Sequence, residues 1–313
     1  MIDFSAIPIV SLAGAERGGA TGRIVTEIGA ACETAGFFYV VDHGVPHGAI
    51  DGVFAAARAF FALPQGARDA IDVHRSPNFR GYVPSGFKGE DVPARKLEAF
   101  QIMLDLGPDD PDVRAGSVMH GRNVWPAGAA GFDAPAFRAA MERYQGEVWR
   151  LSERLLTIFA SALGEEPGFF EPFFTKPLTQ LRLLHYPPQP PDAGAQGVEA
   201  HTDPGALTVL LQDSVGGLEA RNRAGAWIPA PPVPYSFVIN IGDMMQLWTD
   251  GRFVSTPHRV ANRTGRDRIS VPYFVNPDYG ATIAPANGEG DRRPFACGPY
   301  IEAAYRAAWP LAQ

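Results

Sequence analysis

The sequence predicts a mainly β protein with flanking helices, its core a double-stranded β-helix, or jelly roll. From residue 179 to 275 the apolar residues come in short runs, at 179–186, 206–211, 217–220, 226–228, 235–240, 247–249, 254–261 and 268–275. Glycine and proline separate them, and eight short strands with turn residues between them describe two packed sheets enclosing a pocket. The chain also carries 34 glycines and 29 prolines in 313 residues, which favours strands and turns over long helices.

Ahead of that core, Ile7-Pro8-Ile9-Val10 reads as a short strand. Residues 21–35 read as a helix, because Ile24, Ile28, Ala31 and Ala35 recur at spacings of three and four, and Gly36 stops it. Phe37 to Val41 is a strand, and Pro46 to Phe61 a second helix with Ile50, Val53, Phe54, Ala57, Phe60 and Phe61 as its apolar stripe. Arg80 to Pro84 is a strand entering a turn, and the loop Ser85 to Asp91 is placed at a pocket mouth. Glu98 to Leu104 is the next strand, and residues 105–130, broken by Pro108, Pro111, Gly116, Gly121 and Pro126, are a long loop. The longest helical pattern runs from Pro135 to Leu163, with Phe137, Met141, Tyr144, Val148, Leu151, Leu155, Ile158 and Phe159 on one face. A short helix from Ile301 to Trp309 closes the chain. These elements make one domain, 1–313, in which 1–105 is a lead-in packed on the barrel and approximately 175–280 is the core.

Composition excludes several classes. Lysine and arginine number 27 against 34 acidic residues, a formal charge of -7, which gives no footing for nucleic acid. No apolar run reaches membrane-spanning length, and Met1-Ile2-Asp3-Phe4 has no basic segment leading into an apolar one. Two cysteines, Cys32 and Cys297, do not make a disulfide framework, so the expected compartment is the cytoplasm. No exposed apolar helix stands apart from the core, which predicts a monomer.

The chemistry gathers at His201-Thr202-Asp203. In an extended segment the first and third side chains share a face, so a histidine and a carboxylate present half of a metal site. His258, after Ser255-Thr256-Pro257, offers a third ligand. Two histidines and one carboxylate on one face of a cation leave the opposite face open; iron(II) suits this set, and zinc fits it as well. Downstream, Arg268 and Ser270 share a face of an apolar strand, and a planar guanidinium beside a hydroxyl wants a carboxylate. Two neighbouring polar groups have plainer roles: His43 sits before a glycine turn, far from the ligands, and Asp243 after Gly242 is a turn carboxylate.

Arg182-Leu183-Leu184-His185-Tyr186-Pro187-Pro188, His201-Thr202-Asp203, the Thr208 to Leu218 run, Asn240-Ile241-Gly242-Asp243, Ser255 to Val260 and Arg268-Ile269-Ser270 occur in one order and spacing. By these motifs the chain resembles the iron(II)- and 2-oxoglutarate-dependent oxygenases, within the group that contains isopenicillin N synthase, the flavonoid and gibberellin oxidases and the bacterial ethylene-forming enzyme. Asn123-Val124-Trp125-Pro126 is a further landmark of that family. The resemblance implies a single oxygenase domain that binds Fe(II) at His201, Asp203 and His258 and uses O2. It implies that 2-oxoglutarate is held by Arg268, Ser270 and Tyr186. Many plant members have asparagine where this chain has Leu184, which removes a polar contact near the C1 carboxylate.

The expected reaction is oxidation, with hydroxylation foremost, of a small organic substrate with release of succinate and carbon dioxide. Tyr82, Met244, Trp248 and Phe274 are the candidate pocket walls, since aromatic and thioether groups hold an organic substrate and exclude water. Isopenicillin N synthase turns the same arginine–serine pair on its substrate's carboxylate. The pair therefore marks an anion site and leaves open an iron oxidase that works without 2-oxoglutarate, or one that closes rings, desaturates or forms ethylene. A non-catalytic jelly-roll binding protein is the remaining alternative, disfavoured by an intact triad and clamp.

Overall fold

The strands of the predicted core pair into two sheets, and the strands of the lead-in extend one of them. The computed structural model describes residues 3–15, 22–86, 97–188, 197–285 and 293–308. In chain order the elements are β1 (Ile9–Ser11), α1 (Gly22–Thr34), β2 (Phe37–Val41), α2 (His47–Phe61), α3 (Gln65–Asp69), β3 (Gly81–Val83), β4 (Glu98–Met103), α4 (Pro111–Arg114) and α5 (Ala134–Leu163). There follow β5 (Pro177–Tyr186), β6 (Val198–His201), β7 (Leu207–Gln212), β8 (Leu218–Arg221), β9 (Trp227–Pro229), β10 (Phe237–Ile241), α6 (Asp243–Trp248), β11 (His258–Val260) and β12 (Arg268–Asp278). The chain ends with β13 (Thr282–Ile283), β14 (Phe295–Ala296) and α7 (Cys297–Ala308).

The major sheet has the order β1-β2-β10-β7-β12-β5-β4-β3, and the minor sheet β6-β11-β8-β9. The jelly roll is thus β5 to β12, with its strands divided between the two sheets. The lead-in strands bond to it on both sides, β2 alongside β10 and β4 alongside β5. Most of the expected elements form within a residue or two of their predicted ends. Two differ. Residues 247–249 belong to the helix α6 and its cap, not to a strand: Met244, Met245 and Trp248 are its buried residues. A short apolar run does not distinguish the two periods. The run 254–261 pairs only over β11, because Pro257 has no N–H to give. The hydroxyl of Thr256 donates to the Ala35 carbonyl and the Ser255 amide to the Gln246 side chain, so both point away from the ladder. The missing eighth strand is β6, whose last residue is His201.

One face of the major sheet is covered by helices. α5 packs against α1, α2 and β12. It starts at Asp133, whose carboxylate accepts the Ala136 amide, and stops at Gly164 in the left-handed region. Between these caps Phe137, Met141, Tyr144, Val148, Leu151, Leu155, Ile158 and Phe159 are all buried, each contributing about 1.5–3 kcal/mol. The loop 105–130 is tied down by Asn123, which accepts the Met103 amide and the Arg80 Nε–H and donates to the Met103 carbonyl. The predicted pocket-mouth loop lies largely outside the described residues, which leave out 87–96.

Gly36 joins α1 to β2 at φ +60, and a Cβ there would sit 2.0 Å from the Val254 carbonyl oxygen. Backbone strain and a clash with backbone act together, so Gly36→Ala is expected to destabilise the fold by more than about 2 kcal/mol. Urea unfolding should show a lower midpoint at unchanged slope.

Candidate metal centre and anion pocket

Strand pairing brings the first two ligands together. His201 ends β6 and His258 begins β11, and they are direct antiparallel partners. Their ring centroids lie 4.3 Å apart. Each Nδ1 meets a backbone carbonyl, Glu199 at 2.8 Å and Thr256 at 3.2 Å. An Nδ1–H donating there leaves the Nε2 lone pair free for a cation. Phe37 packs edge-on against the His258 ring, with centroids 5.2 Å apart.

Asp203 comes from the turn that crosses between the sheets. Its Oδ2 accepts two hydrogen bonds, from Thr208 Oγ1 at 2.6 Å and Asn240 Nδ2 at 2.8 Å. Its Oδ1 faces the imidazoles, 3.7 Å from His201 Nε2 and 3.8 Å from His258 Nε2. These three residues offer ligand atoms all within 4.8 Å of one another, the one such group found among the described residues. Burial opposes the charge on Asp203, but His258, His201 and the two hydrogen bonds outweigh it and hold its pKa below the usual carboxylate range. Burial depresses the His258 pKa, despite the pull of Asp203. A neutral imidazole beside an ionised carboxylate is the protonation state a divalent metal requires.

The turn is held from behind. The Asp243 amide donates to the Asp203 carbonyl at 2.8 Å, and the Met244 amide lies on the Pro204 and Gly205 carbonyls. Thr202 donates its hydroxyl to the carboxylate of Asp243, the first residue of α6, which ties the turn to that helix instead of adding a metal ligand. Gly242 permits this close approach, since a Cβ on it would stand 2.1 Å from the Gly205 oxygen.

The anion pocket lies on the same inward face of the major sheet. On β12 Arg268, Ser270 and Phe274 alternate onto one side, and Phe274 is the register partner of Thr208, which holds Asp203. Arg268 is fully buried. Its Nε donates to the Gly216 carbonyl at 2.6 Å and its Nη1 to Ser270 Oγ at 3.1 Å. The guanidinium carbon stands 4.6 Å from the Tyr186 ring centroid. Its Nη2 is buried with no hydrogen-bond partner. The Ser270 hydroxyl accepts from the arginine, so its own hydrogen remains free to donate. One orphaned cationic donor and one hydroxyl donor stand side by side, an arrangement that a carboxylate could complete.

The predicted pocket walls divide. Phe274 is half-buried on the inward face. Met244 is fully buried in the first turn of α6, behind the Asp203 turn. Trp248 is not a pocket wall; it sits in an aromatic cluster with Phe170, Phe173 and Phe174. Tyr82 is not one either. It lies on the helix-facing side of the sheet, where its hydroxyl donates to Glu98, Arg68 covers its ring and Phe60 of α2 is nearby. His43 is structural, its Nδ1 accepting from Val45 and its Nε2 meeting the Tyr235 carbonyl. Thr208 and Asn240 stand in the recognisable motifs of the sequence, but their common aim at one carboxylate oxygen depends on strands distant in the chain.

The family described as 2OG-Fe(II) oxygenase superfamily matches residues 178–277, and the one described as non-haem dioxygenase in morphine synthesis N-terminal matches residues 7–128. The 2-oxoglutarate-Fe(II) type oxidoreductase hxnY of Emericella nidulans is 33% identical over 308 residues, covering 95% of this chain and 88% of that protein. The crystal structure of a 2OG-Fe(II) oxygenase family protein from Caulobacter crescentus superposes with a TM-score of 0.83 at 30% identity, over 97% of this chain and 99% of that one. The rice dioxygenase for auxin oxidation superposes with a TM-score of 0.75 at 30% identity, over 96% of this chain and 95% of that one. The chain belongs to the 2OG-Fe(II) oxygenase superfamily. It is a dioxygenase that uses Fe(II) and 2-oxoglutarate to oxidise a small organic substrate. Among the described residues no helix is long and apolar enough to cross a membrane.

Removing one of the two bonds that hold Asp203 Oδ2 tests the geometry without touching a ligand atom. Asn240→Ala is expected to weaken Fe(II) binding by about 10–100-fold while the fold persists. Competition with a chromophoric chelator measures the first, and circular dichroism the second.

Proposed function

We propose that His201, Asp203 and His258 hold Fe(II), and that Arg268 and Ser270 receive the distal carboxylate of 2-oxoglutarate, with Tyr186 beneath the guanidinium. The observation that carries this reading is the orphaned Nη2 of a fully buried arginine, on the sheet face that also bears the Asp203 support. An unpaired buried cation is costly unless an anion completes it. When bound, the metal and cosubstrate would supply the oxidising power: 2-oxoglutarate, O2 and a substrate C–H group would yield succinate, carbon dioxide and a hydroxylated product, one oxygen atom of O2 going to succinate and one to the product.

The chain's own residues do the rest. The carbonyl-bound Nδ1 atoms keep both imidazoles turned toward the cation, and Thr208 and Asn240 keep Asp203 ionised and oriented. Three ligands on one side leave the opposite side for cosubstrate, O2 and an adjacent substrate. Phe274 forms part of an apolar wall there, and Met244 supports the turn from behind. The reaction in this reading is hydroxylation, which needs no side-chain general base.

The same reading makes the whole chain, 1–313, one oxygenase domain, monomeric and cytoplasmic, with no nucleic-acid substrate. Its support is the lead-in strands bonded into the major sheet, the -7 charge and two buried free cysteines. Ile9 and Tyr235 are the only exposed large hydrophobics among the described residues.

Anaerobic titration of the Fe(II)-loaded protein with 2-oxoglutarate, followed by the visible charge-transfer band, tests the clamp. Arg268→Ala should bind 2-oxoglutarate roughly 100-fold more weakly, in line with loss of one partner from a buried charge pair, and still bind Fe(II). Equal affinity in wild type and variant would sink the assignment of Arg268.

A further inference from the structure

The back of the major sheet carries a second cluster of ionisable groups, outside the site just described. On β5 Tyr186 faces the anion pocket, so His185 faces the helices, where the Phe61 ring of α2 stacks on it at 4.8 Å. His185 Nδ1 lies 2.7 Å from Glu98 Oε1 on β4. Its Nε2 lies 2.6 Å from Asp267 Oδ1, just ahead of β12. An ionised carboxylate only accepts, so satisfying both contacts requires a hydrogen on each ring nitrogen, and the ring is an imidazolium. The other groups that face it are Arg68 of α3 and Tyr82 of β3, both bonded to Glu98 Oε2, and Gln65 of α3, bonded to Arg68 and Tyr82. Two carboxylates are thereby matched by two cations.

We infer that His185 and Asp267 are positioning residues for the 2-oxoglutarate clamp. The inference rests on the reading of Arg268 as the receptor. Arg268 and Tyr186 are direct cross-strand partners, as are Ile269 and His185. Asp267 is the residue before Arg268, and His185 the residue before Tyr186. The His185–Asp267 bond therefore fastens the start of β12 to β5 at the residue where the guanidinium lies over the Tyr186 ring. It is the back-side counterpart of that stack. The far oxygen of the tie is anchored less firmly, since the Asp267 side chain is 54% exposed and lies at the end of the loop 261–267. Loss of one imidazolium hydrogen releases one end of the bridge.

The pH effect has a definite direction. Burial opposes the charge on His185, but Glu98 and Asp267 outweigh it and raise its pKa above the ordinary histidine value. A raised pKa means the bridge is complete below about pH 6.5 and is lost as the pH climbs through the raised value. Clamp affinity should fall over the same interval. Linkage makes the effect reciprocal: if 2-oxoglutarate binds about tenfold more tightly to the imidazolium form, its binding raises the His185 pKa by about one.

The experiment uses the Fe(II)-loaded protein without oxygen, titrated with 2-oxoglutarate between about pH 6 and about pH 9. Wild type should lose affinity toward high pH with a single-proton midpoint. Asp267→Asn should move that midpoint to lower pH, and His185→Gln should bind weakly and without the pH step. Fe(II) affinity should be the same in all three. An independent readout is the His185 imidazole resonance in the Zn(II)-substituted protein, which should titrate at higher pH when 2-oxoglutarate is present. If both variants are folded and bind 2-oxoglutarate like wild type at every pH while Arg268→Ala loses it, the positioning role is overturned and the clamp stands. If Arg268→Ala also binds normally, both are overturned. Should His185→Gln not fold, Asp267→Asn, altered at a half-exposed side chain, decides the matter by itself.

Discussion

The Asp203 carboxylate is the point at which the two sheets are joined for chemistry. Its Oδ2 belongs to the major sheet through Thr208 on β7 and Asn240 on β10. Its Oδ1 belongs to the minor sheet through the imidazoles at the paired ends of β6 and β11. Each hydrogen bond to a charged group contributes roughly 1.5–3 kcal/mol, and together with the two imidazoles they offset the burial of the carboxylate. The backbone must let the sheets come this close. Gly205 and Gly242 do so at the crossing turn, where a Cβ would meet Asn276 Oδ1 at 2.1 Å or the Gly205 carbonyl at 2.1 Å. The metal ligands are consequently set by the fold before any cation arrives.

Two buried arginines show how the surroundings decide a residue's role. Arg80 donates to the carbonyls of Asn78, Leu104 and Met119 and to Asn123 Oδ1, so each of its three nitrogens has a partner. Burial pushes its pKa down to about 10, and the residue is a structural fastener. Arg268 is equally buried but has only Gly216 and Ser270 as hydrogen-bond partners, with Nη2 left over. The difference is not in the residue type or its burial. It lies in the unfilled Nη2 of Arg268, the donor on which the proposed anion role rests.

The same distinction explains what is legible in the sequence. His201, Asp203 and His258 are readable because their roles follow from residue type, period-two spacing and motif order. Arg268 and Ser270 are readable for the same reason. The strand count holds although 247–249 is helical, since the stretch ending at His201 supplies the eighth strand. Trp248 and Tyr82 mislead because an aromatic residue fits a core and a pocket wall equally well. Only the pairing of β3 with β4, and of β4 with β5, reveals that Tyr82 looks toward α2. Asn240 and Thr208 converge on Asp203 from 37 and 5 residues away, a convergence that no local pattern encodes.

A strand that is buried on both faces cannot serve one of them alone. On β5 each inward side chain has a neighbour on the back: Tyr186 under the clamp is followed around the pleat by His185 in its carboxylate bridge. Moving either strand to improve one face displaces the other, because the Arg268–Tyr186 and Ile269–His185 pairs are rungs of one ladder. The front rung holds an unfilled cation and is unfavourable until an anion binds. The back rung holds the His185 ring between two carboxylates, with a partner at each ring nitrogen. In the proposed reading, the back of the sheet thus holds β5 and β12 together before the cosubstrate arrives, through residues that never touch it.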